Sequence, residues 1–267
     1  MKVFISADIE GVTTTTVWDE TDSAHKSFGL HAKQMTDEVL AAISGAKAAG
    51  AKEIVVKDAH YQGLNIDPTR MPTGVKLIRN RTGHPYRMVE GIDSTFDAAM
   101  FVGYHSSAGR MGNPLSHTIS NQHVSLKING SVASEFLLYS YAAALEDVPT
   151  VFLSGDKMLC EDFSNLHPKL ITCPVKEGLG AMTICYSTED TLKSIRELSE
   201  KSLKQDLGDA LVKLPNHFEA ELYFKEHKQA VLASHFPGVK QKSDNIITYT
   251  SDSYLEILRT TSWVIRP

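Results

Sequence analysis

The chain opens on Lys2-Val-Phe-Ile-Ser-Ala-Asp8-Ile-Glu10-Gly11, and this stretch restricts the fold more than any other. Val3, Phe4 and Ile5 are apolar and β-favouring, so the segment reads as a buried strand that ends abruptly in acid. Asp8 and Glu10 are two residues apart, so on an extended backbone both side chains leave one face. Gly11 lets the chain turn away at the strand's carboxyl end, where open α/β sheets place their ligands. Two carboxylates that close repel unless one is protonated or a cation lies between them. A divalent metal meets that requirement. The residues alone equally allow Asp8 to cap a turn while Glu10 points to water.

The same arrangement recurs along the chain. A threonine-rich loop over 12–23, containing Trp18, is longer than a simple connection, and such loops at strand carboxyl ends carry function. A helix is expected over 24–49, with Met35, Val39, Ala42, Ile43 and Ala46 as its apolar stripe and Gly50 as its stop. Residues 53–57 form a second buried strand that delivers Asp58-Ala59-His60. A loop-like region follows, with a strand over 75–78 and a short helix over 85–92. Residues 97–103 form a third buried strand, delivering Tyr104-His105. Asn129-Gly130 is a two-residue turn signal joining a strand over 124–128 to the next one. Ser134-Glu135 opens a helix to about Leu145, and a strand over 149–154 ends in Gly155-Asp156. Beyond it, strands are expected over 170–176, 181–185, 218–224, 229–235 and 246–249, with helices over 188–207 and 253–264.

Strands alternating with helices imply an α/β protein with a mainly parallel sheet flanked by helices, followed by a smaller, strand-rich α+β C-terminal portion. A composition shift near Cys185 sets the expected division at 1–185 and 186–267. The 267 residues provide for one large or two moderate domains. A net charge of −5 without any basic run argues against nucleic acid and anionic membranes as partners. No apolar run approaches the roughly 20 residues that span a bilayer, and no signal-peptide pattern opens the chain, so a cytoplasmic location is expected. Cys160, Cys173 and Cys185 lack CxxC spacing and are odd in number, the pattern of reduced core thiols.

In a parallel sheet the carboxyl ends of the strands share one edge, so Asp8, Glu10, His60 and His105 would converge there, with Glu135 joining from a helix N-terminus. Singly, each has a plainer role. His60 suits a turn histidine bonded to Asp58, His105 a satisfied core histidine, Glu135 the complement of a helix dipole, and Asp156 a helix cap. Together they are carboxylate and imidazole ligands without thiolate, which suits Zn²⁺, Mn²⁺ or Fe. Mixed sets of this kind are typical of two-metal hydrolases, where a bridging carboxylate joins ions about 3.5–4 Å apart and the cation acidifies a water. Asp8 lies deepest in its strand and is read as the bridge.

Taken in order, Asp8-Ile-Glu10-Gly11, Asp58-Ala-His60, Met88-Val-Glu-Gly91 with Asp93, Gly103-Tyr-His105, Ser116-His117 and Glu135 resemble the motifs of the zinc-dependent D-aminopeptidases associated with bacterial dipeptide-transport operons. The resemblance runs from residue 1 to about 155. It implies two zinc ions per subunit held by Asp8, Glu10, His60, His105 and Glu135, with Asp8 shared. It also implies a catalytic His117, described in the family as a nucleophile; by its chemistry His117 equally serves as general base or oxyanion stabiliser, or packs as a loop histidine. The implied reaction removes the N-terminal residue of short peptides, D-amino-acid-containing dipeptides above all. The implied assembly is a ring-stacked homodecamer with its active sites facing an interior channel.

The chain departs from the pattern beside the ligands. Val12-Thr-Thr-Thr-Thr16 stands where an Ile-Ser-Gly type run is usual, and Lys57 and Ala59 where Asn and Ser are usual, which bears on substrate choice. A two-metal phosphoesterase would use the same ligands; against it stand the lack of a GxxxxGK[ST] loop and of an arginine pair near the ligand positions. A non-catalytic peptide- or metal-binding module is the reading from another class. A nucleotide-binding Rossmann domain is disfavoured because no G-x-G-x-x-G follows Asp8.

Overall fold

The first strand, β1 (Lys2–Ala7), is buried on both faces because its side chains alternate between two cores. Phe4 packs into one apolar cluster, while Val3 and Ile5 pack into the other. The computed structural model describes residues 1–164 and 169–265. After β1 come α1 (Phe28–Ala48), β2 (Glu53–Asp58), β3 (Val75–Ile78) and β4 (Ala98–Tyr104). A hairpin of β5 (His123–Ile128) and β6 (Ser131–Val132) precedes α2 (Glu135–Leu145), β7 (Thr150–Asp156) and α3 (Lys157–Ser164). Then follow β8 (Ile171–Leu179), β9 (Met182–Cys185), α4 (Thr188–Leu203) and β10 (Phe218–Phe224). The chain closes with α5 (His227–Ser234), β11 (Lys240–Gln241), β12 (Ile246–Ser251) and α6 (Tyr254–Val264).

Seven strands form one sheet in the order β3-β2-β1-β4-β7-β8-β9, parallel except for the antiparallel edge strand β9. Chain order runs outward in one direction from β1 to β3 and in the other from β4 to β9. The reversal falls between β1 and β4, and the carboxyl edge at such a switch point leaves a crevice for ligands. A second, antiparallel sheet has the order β11-β12-β10-β5-β6. On one face of the parallel sheet, Met35, Val39 and Ile43 of α1 and Ile195 of α4 close over Val3, Ile5, Val56 and Val102. On the other, Phe136 of α2, Tyr254 of α6 and Leu126 and Leu222 of the second sheet cover Phe4, Phe101 and Leu153. Each such buried side chain contributes on the order of 1.5–3 kcal/mol.

The second sheet takes β5 and β6 from before residue 185, and α4, from after it, packs on α1. Several local expectations are corrected. Residues 229–234 lie in a helix, α5, where a strand is expected over 229–235. Ala230 and Ala233 turn inward while Val231 and Leu232 stay exposed, an i,i+3 spacing hidden inside a short apolar run. Residues 85–92 hold only a 3-10 turn at Arg87–Val89. Cys185 is exposed, whereas Cys160 and Cys173 are buried. Among the described residues no helix is long and apolar enough to cross a membrane.

The strand ends beside the switch point come into direct backbone contact. A Cβ on Gly11 would lie 1.8 Å from the Tyr104 carbonyl oxygen, and one on Gly155 would lie 1.9 Å from the same atom. Gly103, at φ +73°, leaves 2.3 Å between such a Cβ and the Asp8 carbonyl oxygen, and its own carbonyl accepts the Gly11 N–H at 2.8 Å. No side chain fits at these three positions.

Candidate metal centre

Asp8, Glu10, His60, His105 and Glu135 come together at the crevice, whereas Asp58 and Asp156 brace the backbone beside it. Asp8 follows β1 directly, its N–H donating to the Val102 carbonyl at 2.9 Å. The turn through Glu10 is held from below: Lys176 Nζ donates to the carbonyls of Glu10 and Thr15 (2.6 Å to Thr15), and Asn113 Nδ2 donates to Glu10 at 2.9 Å. His60 follows β2. Asp58 does not bond it; its carboxylate instead accepts the N–H groups of Asn65 and Ile66 and the Asn65 amide, fixing the loop. His105 follows β4, and Asp156 clamps the next residue by accepting both Ser106 N–H and Oγ–H at 2.6 Å while capping α3 through Leu159 N–H. Glu135 is the first residue of α2, whose N-terminus is capped by Ser134.

These side chains face one another at short range. His60 Nδ1 lies 3.0 Å from Glu10 Oε2 and 3.5 Å from Asp8 Oδ1. His105 Nε2 lies 3.5 Å from Asp8 Oδ2 and 3.7 Å from Glu135 Oε2. His117 Nε2 lies 3.6 Å from Glu135 Oε1. Two sets bring their ligand atoms within 4.8 Å of one another: Asp8, Glu10 and His105, and His105, His117 and Glu135.

The tautomers follow from the outer nitrogens. His105 Nδ1 meets the Ser106 carbonyl and His117 Nδ1 the Leu115 carbonyl, both at 2.9 Å, so each Nδ1–H donates outward and each Nε2 faces the cluster, where it can hold a proton or a metal. His60 Nε2 lies 3.2 Å from the Thr21 carbonyl, which leaves Nδ1 facing Asp8 and Glu10. Asp8 Oδ2 and His105 Nε2 are both buried without a hydrogen-bond partner. Two buried acceptors aimed at each other are costly unless a cation or proton lies between them. The donor set therefore fits a divalent metal of the zinc type.

The charges are strongly coupled. Burial, with the charge of Glu10, pushes the Asp8 carboxyl up to about 7. Burial also opposes ionisation of Glu135 and Glu10, but His105 overcomes it to hold Glu135 at about 2, and His60 overcomes it to hold Glu10 well below the carboxylate range. The imidazoles answer in kind. Against burial, Glu135 and then Asp8 raise His105 to about 10, and Glu10 raises His60 well above its ordinary value. His117 moves the other way, lowered by burial and by the cationic His105 stacked on it with centroids 4.4 Å apart and planes 7° from parallel. It is neutral at pH 7.

A cavity of about 570 Å³ opens over the cluster. Its walls include residues the sequence did not single out: Thr21, Asn65, Arg81, Arg87 and Tyr139. Trp18 from the 12–23 loop also lines it and sets its ring edge against His117, with centroids 5.2 Å apart. The expectation of no arginine pair near the ligands is corrected, since Arg81 and Arg87 both reach the cavity from the irregular segment between β3 and β4. No periodicity marks them.

An open parallel sheet with a carboxylate–imidazole cluster at its switch point defines a metallohydrolase type of α/β protein. The family model for D-aminopeptidases, the M55 peptidases, matches residues 1–263, and the chain belongs to that family. The D-aminopeptidase of Bacillus subtilis (strain 168) is 27% identical over 244 residues, covering 91% of this chain and 88% of the relative. The solved Zn-dependent D-aminopeptidase DppA from Bacillus subtilis, a self-compartmentalizing protease, matches with a TM-score of 0.92 at 25% identity, over 99% of this chain and 96% of that one.

Proposed function

We propose that this peptidase is zinc-dependent and releases the N-terminal residue of short, D-amino-acid-containing peptides at a site for two zinc ions. The observation that carries the two-ion reading is the placement of Asp8, with one carboxylate oxygen 3.5 Å from His60 and the other 3.5 Å from His105. A carboxylate has two oxygens to share between ions, whereas His105, common to both ligand sets, offers a single lone pair. Asp8, Glu10, His60, His105 and Glu135 would hold the ions, and Asp8 is the residue placed to be shared between them. Zinc held there supplies Lewis acidity that polarises a scissile carbonyl and acidifies a water.

The protein's own part falls chiefly to His117. Its Nδ1–H is fixed on Leu115, its ring is held between His105 and Trp18, and its neutral Nε2 is free to take a proton as general base or to attack as nucleophile. The acidic cluster attracts the free α-ammonium that an aminopeptidase requires. A homo-oligomer, a decamer by resemblance, is part of this proposal; the edge strand β9 exposes Met182 and Ile184, with Leu179 and Tyr186 beside them. So is a cytoplasmic location, which the three free thiols suit.

The test pairs metal counting with turnover. Chain purified without chelator should carry two zincs and cleave D-alanyl dipeptides faster than their L counterparts, losing activity on chelation and regaining it with zinc. His117→Ala should keep both zincs and lose about 10²–10⁴-fold in kcat. Zinc binding without peptide hydrolysis would remove this reading. Arg81 and Arg87 are the feature a two-metal phosphoesterase would share, so p-nitrophenyl phosphate belongs in the same assay, with no turnover expected.

A further inference from the structure

The cavity is lined by charges of both signs. Asp8, Glu10 and Glu135 lie at the metal cluster, and Arg81 and Arg87 line the same space. Arg70, Arg110 and Arg259 pair with carboxylates, but among the described residues Arg81 and Arg87 make no such pair. Arg81 is anchored by one Nη2–H donating to the Ala59 carbonyl at 2.6 Å, beside His60, while its buried Nε has no hydrogen-bond partner. Arg87 sits at φ +36°, a conformation an L side chain adopts only when its surroundings impose it. Those surroundings are in place: Tyr86, Met88 and Val89 are buried around it, and the Tyr86 hydroxyl donates to Glu146 at 2.5 Å. Strain held by its neighbours is characteristic of ligand clamps. Tyr139, from α2, lines the same wall and feels both guanidiniums, which draw its phenol back down against the rise that burial imposes. Its hydroxyl makes no hydrogen bond among the described residues.

Two guanidiniums and a hydroxyl beside a cation site do not serve the metal, because positive charge opposes its binding. They serve an anion, and planar guanidiniums suit a carboxylate. A dipeptide is a zwitterion whose two residues span at most about 7 Å when extended, so both of its ends lie within one cavity of this size. We infer that Arg81 and Arg87, with the Tyr139 hydroxyl, bind the free α-carboxylate of the residue following the scissile bond, so that free dipeptides are preferred over their carboxyl-blocked forms. This rests on the aminopeptidase reading above and goes further by assigning the end of the substrate remote from the metals.

The experiment uses zinc-loaded full-length chain and three substrates: D-alanyl-D-alanine, its C-terminal carboxamide, and D-alanine p-nitroanilide, which has no carboxylate. The wild type should prefer the free acid over the carboxamide by about 10²-fold in kcat/KM. Arg87→Gln should bring that ratio close to one, chiefly through KM, and Arg81→Gln should reduce it in the same direction. Equal wild-type rates on acid and carboxamide would overturn the proposal, as would an acid-to-carboxamide ratio that survives both substitutions. Cleavage of none of the three substrates by the wild type would remove the aminopeptidase reading itself, and this assignment with it.

Discussion

Zinc loading of this cluster should expel protons, and their number can be worked from the geometry. At pH 7 His105, raised to about 10 by Glu135 and Asp8 against the opposing effect of burial, carries its proton. His60, held well above its ordinary value by Glu10, carries a second. Asp8, raised to about 7 by burial and by Glu10, carries about half of one, while Glu10 and Glu135 carry none. If all five hold the ions they must be deprotonated to do so, and loading should then release between two and three protons, on the order of 2.5 per chain. Removing the His105 proton, which Glu135 and Asp8 hold in place, opposes zinc binding. Lowering the pH to 6 fills Asp8 and brings the release close to three. Apparent zinc affinity should then fall about 10²–10³-fold for each unit of acidification below neutrality. Calorimetric titration with zinc in two buffers of different ionisation enthalpy reads the proton count directly. Release of fewer than one proton at pH 7 would refute the reasoning, because it would mean that His60 and His105 do not enter the ligand sphere from their protonated forms.

Two further outcomes follow from the scaffold. Gly11→Ala sets a methyl group 1.8 Å from the Tyr104 carbonyl oxygen, so the strand ends must part; about 1–3 kcal/mol of stability and most zinc affinity should be lost, and an unchanged melting temperature would contradict the backbone contact. Lys176, lowered to about 8 by burial and only partly restored by Asp156 and Glu38, has a folded pKa below its ordinary 10.5. The unfolded chain therefore binds the extra proton between pH 8 and 10.5, and wild-type stability relative to Lys176→Met should rise by about 3 kcal/mol across that window and stay level below it. Denaturant melts at pH 7, 8.5 and 10 check the slope; a difference that does not change with pH would show that the ammonium is not desolvated.

The parallel sheet was legible because each of its central strands is a short apolar run closed by a polar residue: Ile5 before Asp8, Val56 before Asp58 and His60, Val102 before His105. That pattern encodes burial on both faces and a functional edge at once. The second sheet was not legible as a unit. The pairing of β5 with β10 joins Leu126 to Leu222 across most of a hundred residues and leaves no trace in either local sequence. Asp8, Glu10, His60, His105 and Glu135 could be picked out because strand ends and a helix start point them to one edge, whereas His117, in the loop before β5, was singled out by the family resemblance alone. Arg81, Arg87 and Tyr139 were missed for the opposite reason. The two arginines lie in irregular backbone, one of them at a positive φ that no residue type announces, and Tyr139 sits in a helix whose alanines and leucines make it read as core. The exposed Cys185 was misplaced because an odd cysteine count carries no information about which side of an edge strand a thiol faces.

The glycine contacts among β1, β4 and β7 bear on which ions the centre admits. Side chains between strands yield by changing rotamer, but peptide groups already touching have nothing to give. With Gly11 and Gly155 both seated on the Tyr104 carbonyl, Asp8 and His105 are mounted on a frame whose span is set by van der Waals radii. Ca²⁺ seeks six to eight oxygens at about 2.3–2.6 Å and would have to spread that frame and find ligands the imidazoles do not supply. A smaller ion content with few ligands and with nitrogen meets no such demand. Cations held there would thereby be sorted by radius and coordination number.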